Sequence, residues 1–141
     1  MITVIDTNII VGVLEGDDAT AERLATVIDR LADQGSLFIT PVVYAELLAA
    51  PSRSPAIIDA FLQETPVRVD WELDEAVWRA AGLAYRAYGQ QRRAEADGLA
   101  PRRILADFII GAHALHRRAT LLTWDDSVYR TYFSSLTIVA P

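Results

Sequence analysis

The chain has 141 residues, of which 52% are hydrophobic, and a formal net charge of −6; that length and apolar content fit one domain, 1–141, with a real core, and exclude a disordered tail or linker protein. Cysteine is absent and every one of the 13 basic residues is arginine, which excludes disulfides, thiolate nucleophiles, cysteine-ligated metals, Schiff-base chemistry and the P-loop. The charge is uneven: residues 1–75 sum to −10 and residues 76–141 to +4, so the second half can meet a polyanion although the whole molecule is acidic.

The first element is an apolar run, Ile2 to Ile5, that stops at Asp6. Its β-branched residues predict a strand covered on both faces, of the kind found in parallel sheets. Asp6 then stands at the strand's carboxyl end, where ligands bind in open α/β sheets, or serves as a helix N-cap. A short helix is predicted over Thr7 to Leu14, followed by a turn whose acids, Asp17 and Asp18, suit the next helix N-terminus. Leu24, Val27, Ile28 and Leu31 give that helix one apolar face, closed by Gly35. Ser36 to Ile39 reads as a strand, and Thr40-Pro41 as an N-cap followed by proline in the first helical turn.

The third helix carries Glu46 as a lone acid among Val42, Val43, Tyr44, Leu47 and Leu48. An ionised carboxylate is rarely buried alone, so Glu46 either faces solvent or meets something positive. Ser54-Pro55 opens another helix and Pro66 to Val69 is a short strand. Asp74 and Glu75 begin a long helix whose stripe of Trp78, Ala81, Tyr85 and Tyr88 reads as core or dimer surface. Gln90 to Arg103 reads as a mobile basic loop carrying Arg92, Arg93, Arg102 and Arg103. Asp107 falls in the first turns of the helix that follows, and His113 and His116 on it make a weak zinc signal, better read as surface or hydrogen-bonded residues. Thr120 to Thr123 is a strand ending in Trp124-Asp125-Asp126, and a short helix and a last strand close the chain.

The alternation of strands and helices predicts a three-layer α/β/α domain with a mainly parallel sheet. Asp6, Glu46, Asp107 and Asp125 can all reach its carboxyl edge. Clustered carboxylates without a neighbouring His or Cys suit Mg²⁺, with Mn²⁺ as a substitute, and such an ion promotes phosphodiester hydrolysis. No G-x-S-x-G elbow is present. A phosphatase with an aspartyl nucleophile lacks its second acid here, and both it and a phospho-receiver lack their lysine. The remaining rival is a non-catalytic α/β interaction module with a degenerate metal site. No apolar run is long enough to span a bilayer and no signal peptide is visible, so a cytoplasmic protein without membrane contact is expected.

Four segments, taken in order, resemble the PIN-domain ribonucleases of the VapC toxin type: Val4-Ile5-Asp6-Thr7-Asn8, Thr40 to Leu47, Asp107 to Leu115, and Leu121-Leu122-Thr123-Trp124-Asp125. The resemblance implies that Asp6, Glu46, Asp107 and Asp125 form the catalytic metal site, with Thr7 or Thr123 orienting a ligand or water. It implies Mg²⁺ or Mn²⁺, an RNA substrate, a homodimer and a neutralising antitoxin. Asp126 adjoins Asp125 and is the alternative fourth acid, although the Thr-x-Asp pattern favours Asp125. Trp124 stands where the resemblance leads one to expect a polar or basic residue. The arginines at 92, 93, 102 and 103 are the candidates for holding RNA phosphates near Asp107.

Overall fold

The computed structural model describes residues 1–95 and 103–141. Strand β1 (Ile2–Ile5) is followed by helices α1 (Thr7–Glu15) and α2 (Asp18–Ala32), then β2 (Ser36–Ile39), α3 (Pro41–Ala49), α4 (Pro55–Glu64) and β3 (Val67–Val69). The long α5 (Glu75–Ala94), α6 (Leu105–His116), β4 (Thr120–Leu122), α7 (Ser127–Tyr132) and β5 (Thr137–Val139) complete it. The five strands lie in the order β3-β2-β1-β4-β5, and every pairing is parallel, with Val4 opposite Phe38 on one side and Leu121 on the other. Successive residues of a strand face opposite sides of a sheet. Thr3, Val4 and Ile5 are all buried, as are Leu121 and Leu122, so helices cover both faces and the fold is three-layer α/β/α.

Local chemistry sets the element ends that position the site. Asp17 caps α2, its carboxylate accepting the Thr20 N–H at 2.7 Å. Thr40 caps α3, its hydroxyl accepting the Val43 N–H at 3.2 Å, with Pro41 behind it in the first turn. Leu24, Val27, Ile28 and Leu31 form the buried stripe of α2, as their spacing predicts. Gly35 does not end that helix, which stops at Ala32. It lies against Met1, whose carbonyl oxygen would stand 1.8 Å from an added Cβ, and the close approach lets the Ser36 N–H reach that carbonyl at 3.0 Å and start the β1–β2 pairing.

One expectation for α5 is corrected. Gln90 to Ala94 continue the helix instead of forming a loop; Gln and Arg are good helix formers, and the proline at position 101 is too distant to stop it. Arg92 and Arg93 therefore sit on its last turn, while Arg102 falls outside the described residues. Of the stripe read as core or dimer surface, Ala81 is buried and Trp78 is 51% exposed; α5 buries Val77 beside Ala81 and packs against α6. Further along, Tyr85 and Tyr88 meet Phe108 at ring-centroid distances of 5.1 and 5.5 Å. Among the described residues, no helix is long and apolar enough to cross a membrane.

Candidate active site

Asp6 ends β1 and occupies the N-cap position of α1, yet its side chain makes no capping hydrogen bond. Its Oδ2 instead accepts from Thr123 Oγ1 at 2.7 Å, Tyr129 OH at 3.1 Å and Asn8 Nδ2 at 3.2 Å. With 6% of its surface exposed, the carboxyl is pushed up by burial; the bonds from Thr123 and Tyr129 oppose that shift, and the nearby Glu46 charge adds to it. The same neighbourhood pushes the Tyr129 phenol up. Tyr129 and Asn8 are partners that reading the sequence did not reveal, because nothing local links Tyr129 to an acid 123 positions away.

The parallel sheet brings the other acids to the same edge. Asp6, Glu46, Asp107 and Asp125 line one cleft of about 390 Å³, with Thr7, Asn8, Arg103 and Tyr129 among its walls. Glu46 is half-buried and, among the described residues, pairs with no basic side chain; its Oε2 accepts from Thr7 Oγ1 at 2.5 Å. Asp107 lies in the first turn of α6. Burial and the charge of Asp6 push its carboxyl up to about 6, with Glu46 adding to the shift, while Arg103 and a hydrogen bond from the Ile104 backbone pull the other way. Asp125 is the opposite case: Arg103 and Ser127 hold it down at about 2. Asp126 is turned onto Arg130 one helical turn on and does not line the cleft, so the structure brings Asp125, not its neighbour, to the edge. Trp124 is partly exposed and stacks under the Arg23 guanidinium, 5.4 Å from its ring centre.

Thr7 and Thr123 act within the site as hydrogen-bond donors to Glu46 and Asp6. Of the candidate arginines, Arg103 lines the cleft, while Arg92 and Arg93 line an adjoining groove with Tyr85 and Tyr88 that Arg103 also borders. His113 and His116 stand apart. Buried His113 shares Asp70 with Arg117, and His116 pairs with Asp74 at 2.9 Å. Burial pushes the Asp70 carboxyl up, but hydrogen bonds from His113 and Arg117 outweigh it and hold the group low. Burial in turn pushes the His113 imidazole down.

Among the described residues, no three His, Cys, Asp or Glu side chains are gathered closely enough to hold an ion where they now stand. Their chemistry nevertheless fits a hard divalent cation: all are oxygen donors, and Asp107, raised first by burial and then by the charge of Asp6, is a carboxylate that such an ion would stabilise in its charged form. The family model described as the PIN domain matches residues 3–134. The chain belongs to the PIN-domain family. PIN domains are in general nucleases, and PIN nucleases in general use divalent metals.

Solved structures share this PIN fold over nearly their whole length. VapBC2 from Rickettsia felis, bound to a DNA fragment from its promoter, has 22% identity and a TM-score of 0.68, covering 100% of this chain and 99% of its own. VapBC-1 from nontypeable Haemophilus influenzae has 21% identity and a TM-score of 0.67, covering 99% and 98%. DNA-bound VapBC from Salmonella typhimurium has 18% identity and a TM-score of 0.64, covering 99% and 98%. A comparison of the sequence with curated proteins gives no match.

Proposed function

We propose that this PIN domain, a single unit over 1–141, is a metal-dependent endoribonuclease that hydrolyses RNA phosphodiesters as the toxin of a type II toxin–antitoxin pair. The observation that carries the proposal is the convergence of Asp6, Glu46 and Asp107 on one cleft, with the Asp107 carboxyl pushed up to about 6 by burial and by its acidic neighbours. Asp6, Glu46 and Asp107 would hold Mg²⁺, or Mn²⁺ in its place, with Asp125 the fourth acid at the mouth. When bound, the ion would polarise a phosphoryl oxygen and activate a water.

The chain's own residues prepare the site. Thr123, Tyr129 and Asn8 fix the orientation of the Asp6 carboxylate, and Thr7 fixes Glu46; side chains locked in this way give a site its precision. Arg103 supplies the one positive charge among the described residues lining the cleft, and the groove of Arg92, Arg93, Tyr85 and Tyr88 beside it suits a single strand that is held by its phosphates and stacked on aromatic rings. Attack of water on phosphorus with departure of the 3′-oxygen gives 5′-phosphate and 3′-hydroxyl ends.

The VapBC structures that share the fold support a cognate antitoxin as the partner of this chain. A homodimer and a cytoplasmic location belong to the same reading. The rival reading, a non-catalytic module, has in its favour that the acids are not gathered to ligand distance. Incubating purified protein with structured RNAs in Mn²⁺ or EDTA, beside Asp6→Ala, separates the two. Cleavage only with metal, yielding 5′-phosphate ends and lost in the variant, supports the nuclease. Cyclic 2′,3′-phosphate ends or full activity in EDTA refute its mechanism, and no cleavage of any RNA favours the module.

A further inference from the structure

Asp125 is bonded unlike the other acids of the cleft. Its Oδ1 accepts from the Ser127 N–H at 3.1 Å and from Ser127 Oγ at 2.6 Å. Its Oδ2 accepts from Arg103 Nη1 at 2.7 Å, and Arg103 Nη2 closes the triangle onto Ser127 Oγ. Both carboxylate oxygens are therefore engaged. The triangle is tethered at two further points: the Asp125 N–H donates to Thr123 Oγ1 at 3.1 Å, and the Arg103 N–H to Tyr88 OH at 2.6 Å. A cation at Asp125 would compete with Arg103 for the same carboxylate and set a like charge beside that guanidinium. The arginine, by contrast, is well placed to meet an anion. It lines the cleft, and two of its five donors are taken up by Asp125 and Ser127. Planar guanidinium groups held in one orientation grip phosphates with two parallel bonds.

We infer that Asp125 is a positioning residue: with Ser127 it holds Arg103 over the cleft to receive a phosphate of the RNA backbone, and it does not ligate the ion. Asp6, Glu46 and Asp107 then form the acidic set, and the Asp125 triangle forms the phosphate arm. This division rests on the nuclease reading above, and the test is arranged so that the two fail separately.

Mn²⁺ affinity is measured by calorimetry without RNA, for the parent, Asp125→Asn and Asp107→Asn. The affinity of a short unstructured oligoribonucleotide is measured by fluorescence anisotropy in EDTA over a range of salt, for the parent, Asp125→Asn, Arg103→Ala, Arg103→Lys and the Asp125→Asn/Arg103→Ala pair. The expected result is Mn²⁺ affinity unchanged within about twofold in Asp125→Asn and lowered tenfold or more in Asp107→Asn, about the effect of 1.4 kcal/mol. Asp125→Asn and Arg103→Ala should each reduce the RNA salt slope by about 0.7, the double variant no further, and Arg103→Lys should not restore affinity, because an ammonium cannot make the forked contact.

A Mn²⁺ loss in Asp125→Asn equal to that in Asp107→Asn overturns the inference, as does an additive double variant or a parent that does not bind the RNA. Failure of the parent to bind Mn²⁺ would instead overturn the nuclease reading, leaving the RNA arm to judge the triangle. Far-UV circular dichroism of every variant distinguishes a lost contact from a lost fold.

Discussion

Replacing Asp107 with Asn tests whether the cleft is built for a cation. In the metal-free protein the Asp107 carboxyl is pushed from 3.8 up to about 6. Between those two values the folded protein keeps a proton that the unfolded chain has released, so this group lowers stability as pH rises through the window and leaves the full deficit above it. At 1.36 kcal/mol for each pH unit, the upper limit is about 3 kcal/mol; because the carboxyl lines an open cleft, solvent screening reduces it to about 1.5 kcal/mol. Asparagine keeps an oxygen for the Ile104 N–H but loses the favourable charge at the start of α6, a cost of about 0.5 kcal/mol.

The net expectation is that Asp107→Asn in EDTA at pH 7.5 is more stable than the parent by about 1 kcal/mol, or about 3 °C in Tm for a chain of this size. The advantage should vanish near pH 4, where the parent is protonated too. Adding Mn²⁺ at a hundred times Kd should stabilise the parent by about 2.7 kcal/mol and the variant much less. Scanning calorimetry of both proteins at pH 4 and 7.5, with and without Mn²⁺, reads all three differences. A variant that melts well below the parent in EDTA at pH 7.5, or an advantage independent of pH, would refute the repulsion argument; an equal gain from Mn²⁺ would remove Asp107 from the metal site.

Asp6→Asn should abolish RNA cleavage in Mn²⁺ while far-UV circular dichroism shows the fold intact, since shape is kept and charge is lost. Replacing Arg92 and Arg93 together with Ala should flatten the salt dependence of RNA binding by a slope of about 1.4, at about 0.7 for each neutralised phosphate; an unchanged slope in filter binding would place the strand elsewhere. Asp70→Asn should cost about 2 kcal/mol in urea unfolding at pH 7, because His113 and Arg117 lose a charged acceptor. Since Asp70 is held below 3.8 in the fold, its contribution is present above that pH and lost as pH falls, so variant and parent should converge in acid. Gly111→Ala should cost about 1–3 kcal/mol by overpacking, because the new methyl would stand 2.5 Å from the Phe133 ring; a neutral urea midpoint would show that the ring can move aside.

What could be read from the sequence was what is repeated or local. The apolar spacing of α2, the cap-and-proline start of α3 and the β-branched run of β1 carry their own geometry. Local pattern also brought the four acids to strand ends and helix starts, and they share a cleft. The stripe of α5, read as core or dimer surface, buries Ala81 and packs Tyr85 and Tyr88 on Phe108 while Trp78 stays exposed. Local pattern failed where partners are distant. The triangle of Arg103, Asp125 and Ser127 joins segments more than twenty positions apart, and no periodicity announces such a pairing.

The strand order β3-β2-β1-β4-β5 bears on how the protein is made on the ribosome. Synthesis lays down β1, then β2 and β3 to one side, before the chain returns to place β4 against the bare flank of β1. Asp6 is translated well before Thr123 and Tyr129, which help to fix its orientation and emerge 117 and 123 residues later. At about 5–20 residues per second, that gap amounts to several seconds or more of elongation in which the acid has Asn8 beside it but neither of its two distant hydroxyl donors. A nascent chain stalled before β4 would present a half-built sheet with an open edge at β1 and no assembled cleft, so whatever chemistry the site performs must wait until β4 and α7 have been made.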